Sequence, residues 1–513
     1  MRAIGDLRMR FSKRIQVQWK LRFHQRIRTK SFFTLLVKFV PILAWLPRYD
    51  WKRSFFGDLS GGLTMAVFAV PQAIALAAVT GVDAVYGLYT AIFPCFIYTF
   101  FGSSKHNSLG GFAALALITR SAIERMLNQK NQMNMDRMLN LTALTESENN
   151  LSARVDMVNG STNTANDLLN SEIQVDMTQF CAINIATTIV FLSGTVHILM
   201  GIFRLHVITC YFSEQLVSGF VVGGCFHVFF AQIGPLLGIQ VQRRSGPAHL
   251  FHIATDLFNC MDKMHVPTVV ISALSIIFLL IGKKIIEPWL LQVFLFPIPY
   301  ELILVVVAIT ATRFAELSER FNISVVGDIP TKFPPASLPK FDFVPELLVD
   351  SINIAVISVA IHITVARIVE RKYDYHISHE QELYALGFVS ILSSLFPIFP
   401  VTSGFARSVI GGAVGGSTQL TSLISALTLL SVILYIGPAL AYLPKCVLAS
   451  MIMVTMRLYF EKFRELKLLW PTFKFDFFIW VVSMLLTICY DLAEGLTLSV
   501  LFAVLTTLFR NHW

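Results

Sequence analysis

The chain has 513 residues, of which 55% are hydrophobic and 14% are charged, and its mean hydropathy is +0.64. A soluble chain would carry about 25% charged residues, so this composition excludes most soluble enzymes and nucleic-acid-binding proteins. The net charge of +9 is concentrated at one end, because residues 1–53 carry 14 Lys and Arg against Asp6 and Asp50.

The first segment, 1–53, is therefore predicted to be a basic cytosolic N-terminal region. Its first 30 residues contain no apolar core of the kind found in a cleavable signal peptide, so we expect insertion to begin at the first membrane helix. A basic segment beside a membrane helix favours contact with anionic membrane lipid.

Long uncharged runs follow, and a membrane-spanning helix needs about 20 such residues. Strands of a membrane barrel alternate in polarity and are about 10 residues long, so these runs predict helices. Counting the shorter runs as half-helices gives about fourteen transmembrane segments in an all-α polytopic membrane protein. The runs are 59–82, 84–104, 107–119, 177–203, 215–242, 264–282, 302–312, 351–366, 383–406, 408–444, 446–456, 477–490 and 495–509.

Basic residues support a cytosolic N-terminus. With that orientation, the cytosolic segments contain 27 Lys and Arg and the extracellular segments contain 13, as the positive-inside rule requires. The polar segment 128–178 is then an extracellular loop. It contains glycosylation sequons at Asn140, Asn150 and Asn159, although an Asn-rich disordered loop is the alternative interpretation.

Two short segments resemble each other at matching positions of two halves. Ser108-Leu-Gly-Gly-Phe-Ala113 and Thr402-Ser-Gly-Phe-Ala406 each place Gly-Phe-Ala before a short apolar stretch. Such Gly-interrupted pairs indicate inverted repeats around a transport site. We therefore predict a first membrane repeat at 54–342, a second at 343–510, and a helix break near residue 414 within a glycine cluster.

Arg407 is the one charged residue between 383 and 444. An Arg in the membrane costs about 2.5–3.5 kcal/mol on insertion scales, so it needs a partner or a function. It would begin a helix after residues that break one, and a helix N-terminus attracts anions. The alternative is a purely structural ion pair, for which Glu301 is the best candidate.

Two other residues of the apolar runs have open interpretations. Gln72 would either donate a hydrogen bond to an anion or bridge helices, and Phe112 would either line a pocket or belong to an ordinary apolar surface. The seven cysteines are scattered, and no metal, cofactor, nucleotide or hydrolase motif is present. We therefore expect no enzyme activity, no cofactor, no metal site and no nucleic-acid partner.

Ordered motifs along the membrane body are similar to those of the sulfate permease family, specifically the animal prestin- and pendrin-type anion exchangers. The matching segments are Asp58-Leu-Ser-Gly-Gly62, Val70-Pro-Gln72, Phe101-Gly-Ser-Ser-Lys-His106, Ser213-Glu-Gln-Leu-Val-Ser-Gly-Phe220, Pro297-Ile-Pro-Tyr-Glu301, Gln381-Glu-Leu-Tyr-Ala-Leu-Gly387, Ala406-Arg-Ser408 and Gly415-Gly-Ser-Thr-Gln-Leu420.

The resemblance implies a fold of seven plus seven segments in inverted repeats, with two half-helices and with core and gate domains. It places an anion at Gln72, Leu76, Phe112, Ala406 and Arg407, and it makes Glu301 a candidate for coupling or ion pairing. Ala406 and Leu76 depart from the family, which often has Ser and an aromatic residue there. Relatives continue into a cytosolic STAS domain, whereas residues 511–513 are expected to be a truncated C-terminus without one.

We therefore predict a multi-pass plasma-membrane glycoprotein that exchanges chloride with bicarbonate- or oxalate-type anions by an elevator-like mechanism. The alternatives are a sulfate transporter, an uncoupled chloride channel, a chloride-binding protein without transport, and proton-coupled uptake through Glu301. The expected partners are small inorganic or carboxylate anions and membrane lipid, and the resemblance also allows a homodimer.

Overall fold

The computed structural model describes residues 39–152, 182–205, 213–239, 248–286, 300–327, 329–331, 333–490 and 492–512. Fourteen principal helices lie within these ranges, seven in each half of the chain. The first seven are α1 Phe55–Thr80, α2 Ala84–Phe101, α3 Ala113–Ser152, α4 Ala182–Ile202, α5 Glu214–Leu237, α6 Val266–Ile281 and α7 Tyr300–Phe314.

The second half repeats this number of helices. They are α8 Val344–Tyr373, α9 His379–Ser393, α10 Phe405–Ala413, α11 Leu420–Leu440, α12 Lys445–Phe460, α13 Lys474–Cys489 and α14 Leu492–His512. The strands β1 (Leu109–Gly111) and β2 (Val401–Ser403) precede the third helix of their respective halves. Seven helical segments of the described chain are long and apolar enough to cross a membrane.

Helix ends follow local sequence. The Ser213 and Ser378 side chains cap α5 and α9 by accepting hydrogen bonds from the backbone N–H groups of Leu216 and Gln381. The long run 408–444 is broken where predicted, because α10 ends at Ala413 and Gly415 adopts a φ of +107°, a conformation that favours glycine.

The segment after β1 differs from the expectation of a short half-helix followed by a polar loop. Its helix begins at Ala113, but it continues to Ser152 because residues 113–152 contain neither Gly nor Pro. An ion pair between Arg120 and Glu124 at 2.6 Å supports the turn after the apolar part. The remainder of the predicted loop, residues 153–178, lies outside the described residues.

The helices form two bundles. One bundle, called the core bundle here, contains α1–α4 and α8–α11 with both strands, and the other, called the gate bundle, contains α5–α7 and α12–α14. Within the core bundle α1 packs on α11 and α4 on α9, and within the gate bundle α5 packs on α12 and α13. The two bundles meet mainly along α1 and α12, and the site described next lies at this boundary.

Candidate functional site

The two strands cross in the middle of the core bundle as a short antiparallel pair. Leu109 lies opposite Ser403 and Gly111 opposite Val401, so the third segments of the two halves run in opposite directions. Helix α3 starts two residues after β1, and α10 starts two residues after β2. Each helix N-terminus carries roughly half a positive charge, and the crossing therefore brings two such ends to one place.

Side chains of the surrounding helices hold the crossing in position. The Cys95 Sγ donates to the Leu109 carbonyl at 2.8 Å, and the Ser358 hydroxyl donates to the Val401 carbonyl at 3.0 Å. Thr402 returns a hydrogen bond from its hydroxyl to the Ser358 carbonyl at 2.8 Å. These buried polar contacts fix β1 to α2 and β2 to α8, so the strands and helices of the core bundle form one packed unit.

Arg407 lies in the first turn of α10, and only 5% of its surface is exposed. Its guanidinium group packs directly against the backbone of Gly110 in β1, where a β-carbon would collide with it. Within the described residues, the Arg407 Nε and Nη2 atoms have no hydrogen-bond partner. A buried cation with unpaired donors is costly, and the same donors would be satisfied by an anion.

A cavity of about 370 Å³ lies in front of Arg407. Four of the five residues that the resemblance placed at the anion line this cavity, namely Gln72, Leu76, Phe112 and Arg407. The side chain of Ala406, the fifth, lies outside the described part of the structure. The residues come from α1, from the turn before α3 and from α10, so widely separated segments meet at one cavity.

Glu301 also lines the cavity, but it is not the partner of Arg407. Its carboxylate forms an ion pair with Lys283, in the π-helical turn Gly282–Ile286 that follows α6. The interpretation that Arg407 is held by Glu301 is therefore wrong in this structure. The physical reason is the fold: Glu301 and Lys283 belong to neighbouring elements of the gate bundle, whereas Arg407 belongs to the core bundle.

The gate side of the cavity adds residues that sequence reasoning missed as site candidates. Thr455, Arg457, Tyr459 and Glu461 of α12 and the turn after it line the cavity, and Arg457 pairs with Glu461 at 3.2 Å. With Lys283–Glu301 and Arg457–Glu461 paired, Arg407 is the unpaired charge among the described lining residues. The sequence predicts Arg457 only as a cytosolic charge, because nothing in it links α12 to Arg407.

Two further cavities border this one. A cavity of about 640 Å³ shares Arg457 and Glu461 with it, on the side that the charge distribution makes cytosolic. Another, of about 360 Å³, contains Asp83, Arg120 and Lys445. It shares only Ala75 and Ile452 with the Arg407 cavity, so these two residues form part of the partition between them.

The predicted glycosylation sites fall in different regions. Asn140 and Asn150 lie in the helical backbone of α3, whereas Asn159 lies outside the described residues. Their modification stays a prediction.

The structure also reveals a buried cluster that sequence reasoning did not single out. Glu382 on α9 is fully buried and accepts hydrogen bonds from Tyr98 and Ser103, and His362 on α8 lies 2.6 Å from it. A signal was present, because His362 is an ionisable residue inside the apolar run 351–366. A histidine does not interrupt an apolar run that is bounded by Asp, Glu, Lys and Arg, so the pattern of runs does not mark it.

Comparisons with known proteins agree with this architecture. The family model described as "Sulfate permease family" matches residues 55–483. "Sulfate permease family protein 3" of Caenorhabditis elegans is 56% identical over 485 residues, and the human "Sulfate transporter" is 33% identical over 479. Each alignment covers 93% of this chain and 62% of the relative, so the chain spans less than two thirds of the length of these curated relatives.

Solved structures share the fold. The murine Solute Carrier 26 family member A9 anion transporter, in the inward-facing state, superposes with a TM-score of 0.79 at 23% identity, over 94% of this chain and 73% of that one. The transmembrane domain of the cyanobacterial bicarbonate transporter BicA gives a TM-score of 0.62 at 19% identity, over 88% and 97% of the two chains.

Proposed function

The chain belongs to the sulfate permease family of membrane anion transporters, and we propose that it is a secondary-active exchanger of chloride for bicarbonate- or oxalate-type anions. The observation that carries the proposal is the buried guanidinium of Arg407. It has unpaired donors, it lies beside two converging helix N-termini, and it faces a cavity at the boundary of two bundles. The proposed anion site comprises Gln72, Leu76, Phe112, Ala406 and Arg407.

The character of the cavity supports a weakly hydrated monovalent anion. Leu76, Phe112 and Val221 are among its apolar lining residues. Of the polar lining residues, Lys283 pairs with Glu301, Arg457 pairs with Glu461 and the Thr455 hydroxyl donates to the Met451 carbonyl, which leaves few free donors besides Arg407 and Gln72. The cost of removing an ion from water rises steeply with its charge. A site with few donors therefore favours chloride or bicarbonate over sulfate, and the absence of a hydroxyl at Ala406 acts in the same direction.

Sulfate is the second candidate, and a specific observation favours it. Several relatives that are 31–33% identical carry the name "Sulfate transporter". Arg407 together with two helix ends supplies roughly two positive charges, which is enough to balance a divalent anion. Oxalate, with the same charge, is compatible with the same site.

Elevator-like movement is the proposed mechanism. Arg407, Gln72 and both strands belong to the core bundle, whereas Glu301 and Arg457 on the other side of the cavity belong to the gate bundle. Sliding of the core bundle would carry the bound anion, together with Ala75, past Ile452 of the gate bundle, which is the other part of the partition. The Lys283–Glu301 pair on the gate bundle is a candidate for coupling this movement to the anion.

We further propose residence in the plasma membrane with a cytosolic N-terminus, a glycosylated segment at 128–178 and assembly as a homodimer. The excess of basic residues in segments 1–53 and 457–474 supports the orientation. The sequons at Asn140, Asn150 and Asn159 are then on the outside.

The test is anion flux in cells that express the chain, with Arg407→Gln beside the wild type. Cells loaded with chloride are placed in bicarbonate buffer, and intracellular pH is recorded; labelled sulfate and oxalate uptake are measured in parallel. Removal of a charge-assisted interaction of about 1.5–3 kcal/mol should lower exchange by about 10- to 100-fold.

Arg457→Gln is the matched control, because Arg457 lines the same cavity but is paired with Glu461 and is 45% exposed; its flux should fall by less than about threefold. Surface biotinylation measures delivery to the membrane. Equal losses of delivery and flux in Arg407→Gln would assign Arg407 a structural role. Chloride current without exchange stoichiometry would instead favour a channel.

A further inference from the structure

A chain of buried hydrogen bonds connects α9, α8 and β2. The Glu382 carboxylate lies 2.6 Å from the Nε2 atom of His362, and the Nδ1 atom of the same ring lies 2.6 Å from the Ser403 hydroxyl. All three residues are fully buried, with 0% of their surface exposed. Ser403 is the last residue of β2, four residues before Arg407, so the chain of contacts ends at the backbone that positions Arg407.

Glu382 has the partners of an ionised carboxylate. One of its oxygens accepts from the Ser103 N–H at 2.8 Å and the Ser104 N–H at 3.1 Å, and the other accepts from the Tyr98 hydroxyl at 2.7 Å. A carboxylate that accepts several hydrogen bonds is stabilised in its charged form. These hydrogen bonds stabilise Glu382 as the carboxylate, and His362 is the other ionisable member of the pair.

We propose that His362, held between Glu382 and Ser403, is a proton-binding site whose occupancy is linked to anion binding at Arg407. Imidazole is the side chain whose charge changes nearest to neutral pH. This proposal rests on the proposed anion site, since the linkage requires an anion at Arg407. It adds the proton as a second ligand, bound at a different place from Glu301.

The proton changes both charge and hydrogen-bond direction. With neutral His362, Nε2–H donates to Glu382, Nδ1 accepts from the Ser403 hydroxyl, and the pair carries one negative charge. Proton binding from water forms an Nδ1–H bond that donates to the Ser403 oxygen, so the hydroxyl hydrogen must turn to another acceptor. The pair is then neutral, and a less negative core bundle favours an anion at Arg407.

The other ionisable groups around this pair come from every neighbouring element. Tyr98 of α2 contacts both members, His197 of α4 interacts electrostatically with His362, and Tyr375 after α8 bonds to the Ser104 hydroxyl. The charged groups on the remaining elements packed against α8 include Arg125 of α3 and Glu214 of α5, which pair with Asp350 and Arg371 near the two ends of α8. They also include Arg120 and Glu124 of α3, Asp342 just before α8, Arg407 of α10, and the exposed Glu494 of α14, whose sequence also contains Arg510.

Proton uptake on anion binding tests the linkage directly. The full chain in detergent is placed in weakly buffered solution near about pH 7, sodium chloride or sodium sulfate is added, and a pH-indicating dye reports protons taken up. By thermodynamic linkage, wild type should take up a fraction of a proton, up to about one per chain. His362→Gln should take up less than about one tenth of that amount, because it preserves a donor for Glu382 and an acceptor for Ser403 but cannot gain a proton.

His197→Gln is the matched control, because His197 is also a buried histidine but bonds to the Ala355 carbonyl rather than to a carboxylate. It should take up protons as the wild type does. Uptake in His362→Gln equal to that of the wild type, or no uptake by wild type that binds the anion, would overturn the proposal. Anion binding itself is followed by the rise in thermal unfolding midpoint, which Arg407→Gln should abolish.

A failure of anion binding would be distinguishable from a failure of the proton site. If no anion raises the thermal unfolding midpoint of the wild type, the proposed function is wrong. The proton site is then tested by itself, by comparing the unfolding midpoint without anion at about pH 6 and about pH 8. A pH response in wild type that is absent in His362→Gln supports the proton site, and identical responses overturn it. Should His362→Gln fail to fold, His362→Asn replaces it, because its amide also cannot gain a proton. Proton uptake below about one tenth of the wild-type amount supports the proton site, and uptake equal to that of the wild type overturns it.

Discussion

At the scale of single residues, the position of Arg407 depends on the small size of Gly110. A β-carbon at residue 110 would collide with the guanidinium group. We expect Gly110→Ala to push the Arg407 side chain away from the cavity and to lower anion flux by about 10-fold or more, the equivalent of about 1.4 kcal/mol. Flux per surface-delivered molecule is the measurement.

Gly437→Ala is the control for the change in residue type. Its β-carbon would have neighbours at 3.5–3.7 Å, which is ordinary contact distance, so flux should be close to that of the wild type. Normal flux in Gly110→Ala would show that the guanidinium can move without loss of function, and it would remove the argument that Gly110 positions it.

The sequence predicted Arg407 as a candidate anion-site residue, because a charge inside an apolar run can be recognised without a structure. It could not predict which carboxylate lies nearby. Glu301 was the plausible partner by its place in the sequence, but the fold pairs it with Lys283. The contact between His362 and Glu382 was likewise hidden, since it depends on how α8 and α9 pack and not on spacing along either helix.

At the scale of elements, Asp58 ties the start of α1 to the start of α11. Its fully buried carboxylate accepts from the Ser417 N–H at 2.6 Å, the Thr418 hydroxyl at 2.7 Å and the Thr421 hydroxyl at 2.8 Å. Asp58→Asn places an amide donor among these donors. Because the buried groups then lack an acceptor, the free energy of unfolding should fall by about 3 kcal/mol. The midpoint of thermal unfolding in detergent should fall by several degrees.

Asp350→Asn is the control, because Asp350 directly precedes the apolar run 351–366 as Asp58 directly precedes the run 59–82. Asp350 pairs with Arg125, whose side chain is 48% exposed, and such pairs contribute about 1 kcal/mol or less. Equal decreases of the unfolding midpoint in the two variants would contradict the prediction that Asp58 stabilises the fold more than Asp350 does.

The two aspartates also show that the two halves share a backbone arrangement but not their side-chain contacts. Sequence positions predicted two related halves, and the antiparallel pairing of β1 with β2 agrees with that prediction. Partners are not conserved by the repeat, because Asp58 is held by the start of α11, whereas Asp350 pairs with Arg125 of α3 among the described residues. The length of α3 escaped prediction for a different reason, since polar helices lack the apolar run by which membrane segments are recognised.

At the scale of the whole molecule, an ion pair spans the two bundles. Arg371 near the end of α8 in the core bundle donates to Glu214 at the start of α5 in the gate bundle, at 3.1 and 3.2 Å. The two side chains are 70% and 39% exposed, so both positions are accessible to reagents. Movement of the core bundle along the gate bundle would have to separate these positions in each transport cycle.

Replacing both residues, as Glu214→Cys with Arg371→Cys, therefore tests the elevator. A short bifunctional thiol reagent that joins the two cysteines should reduce exchange by about 10-fold or more, because a joined pair holds the bundles in one arrangement. Reduction of the cross-link should restore the flux, and either single-cysteine variant treated with the same reagent should keep its rate. Full exchange in the cross-linked protein would contradict sliding at this end of the bundles, whereas persistent chloride current without exchange would point to a channel that conducts in the locked arrangement.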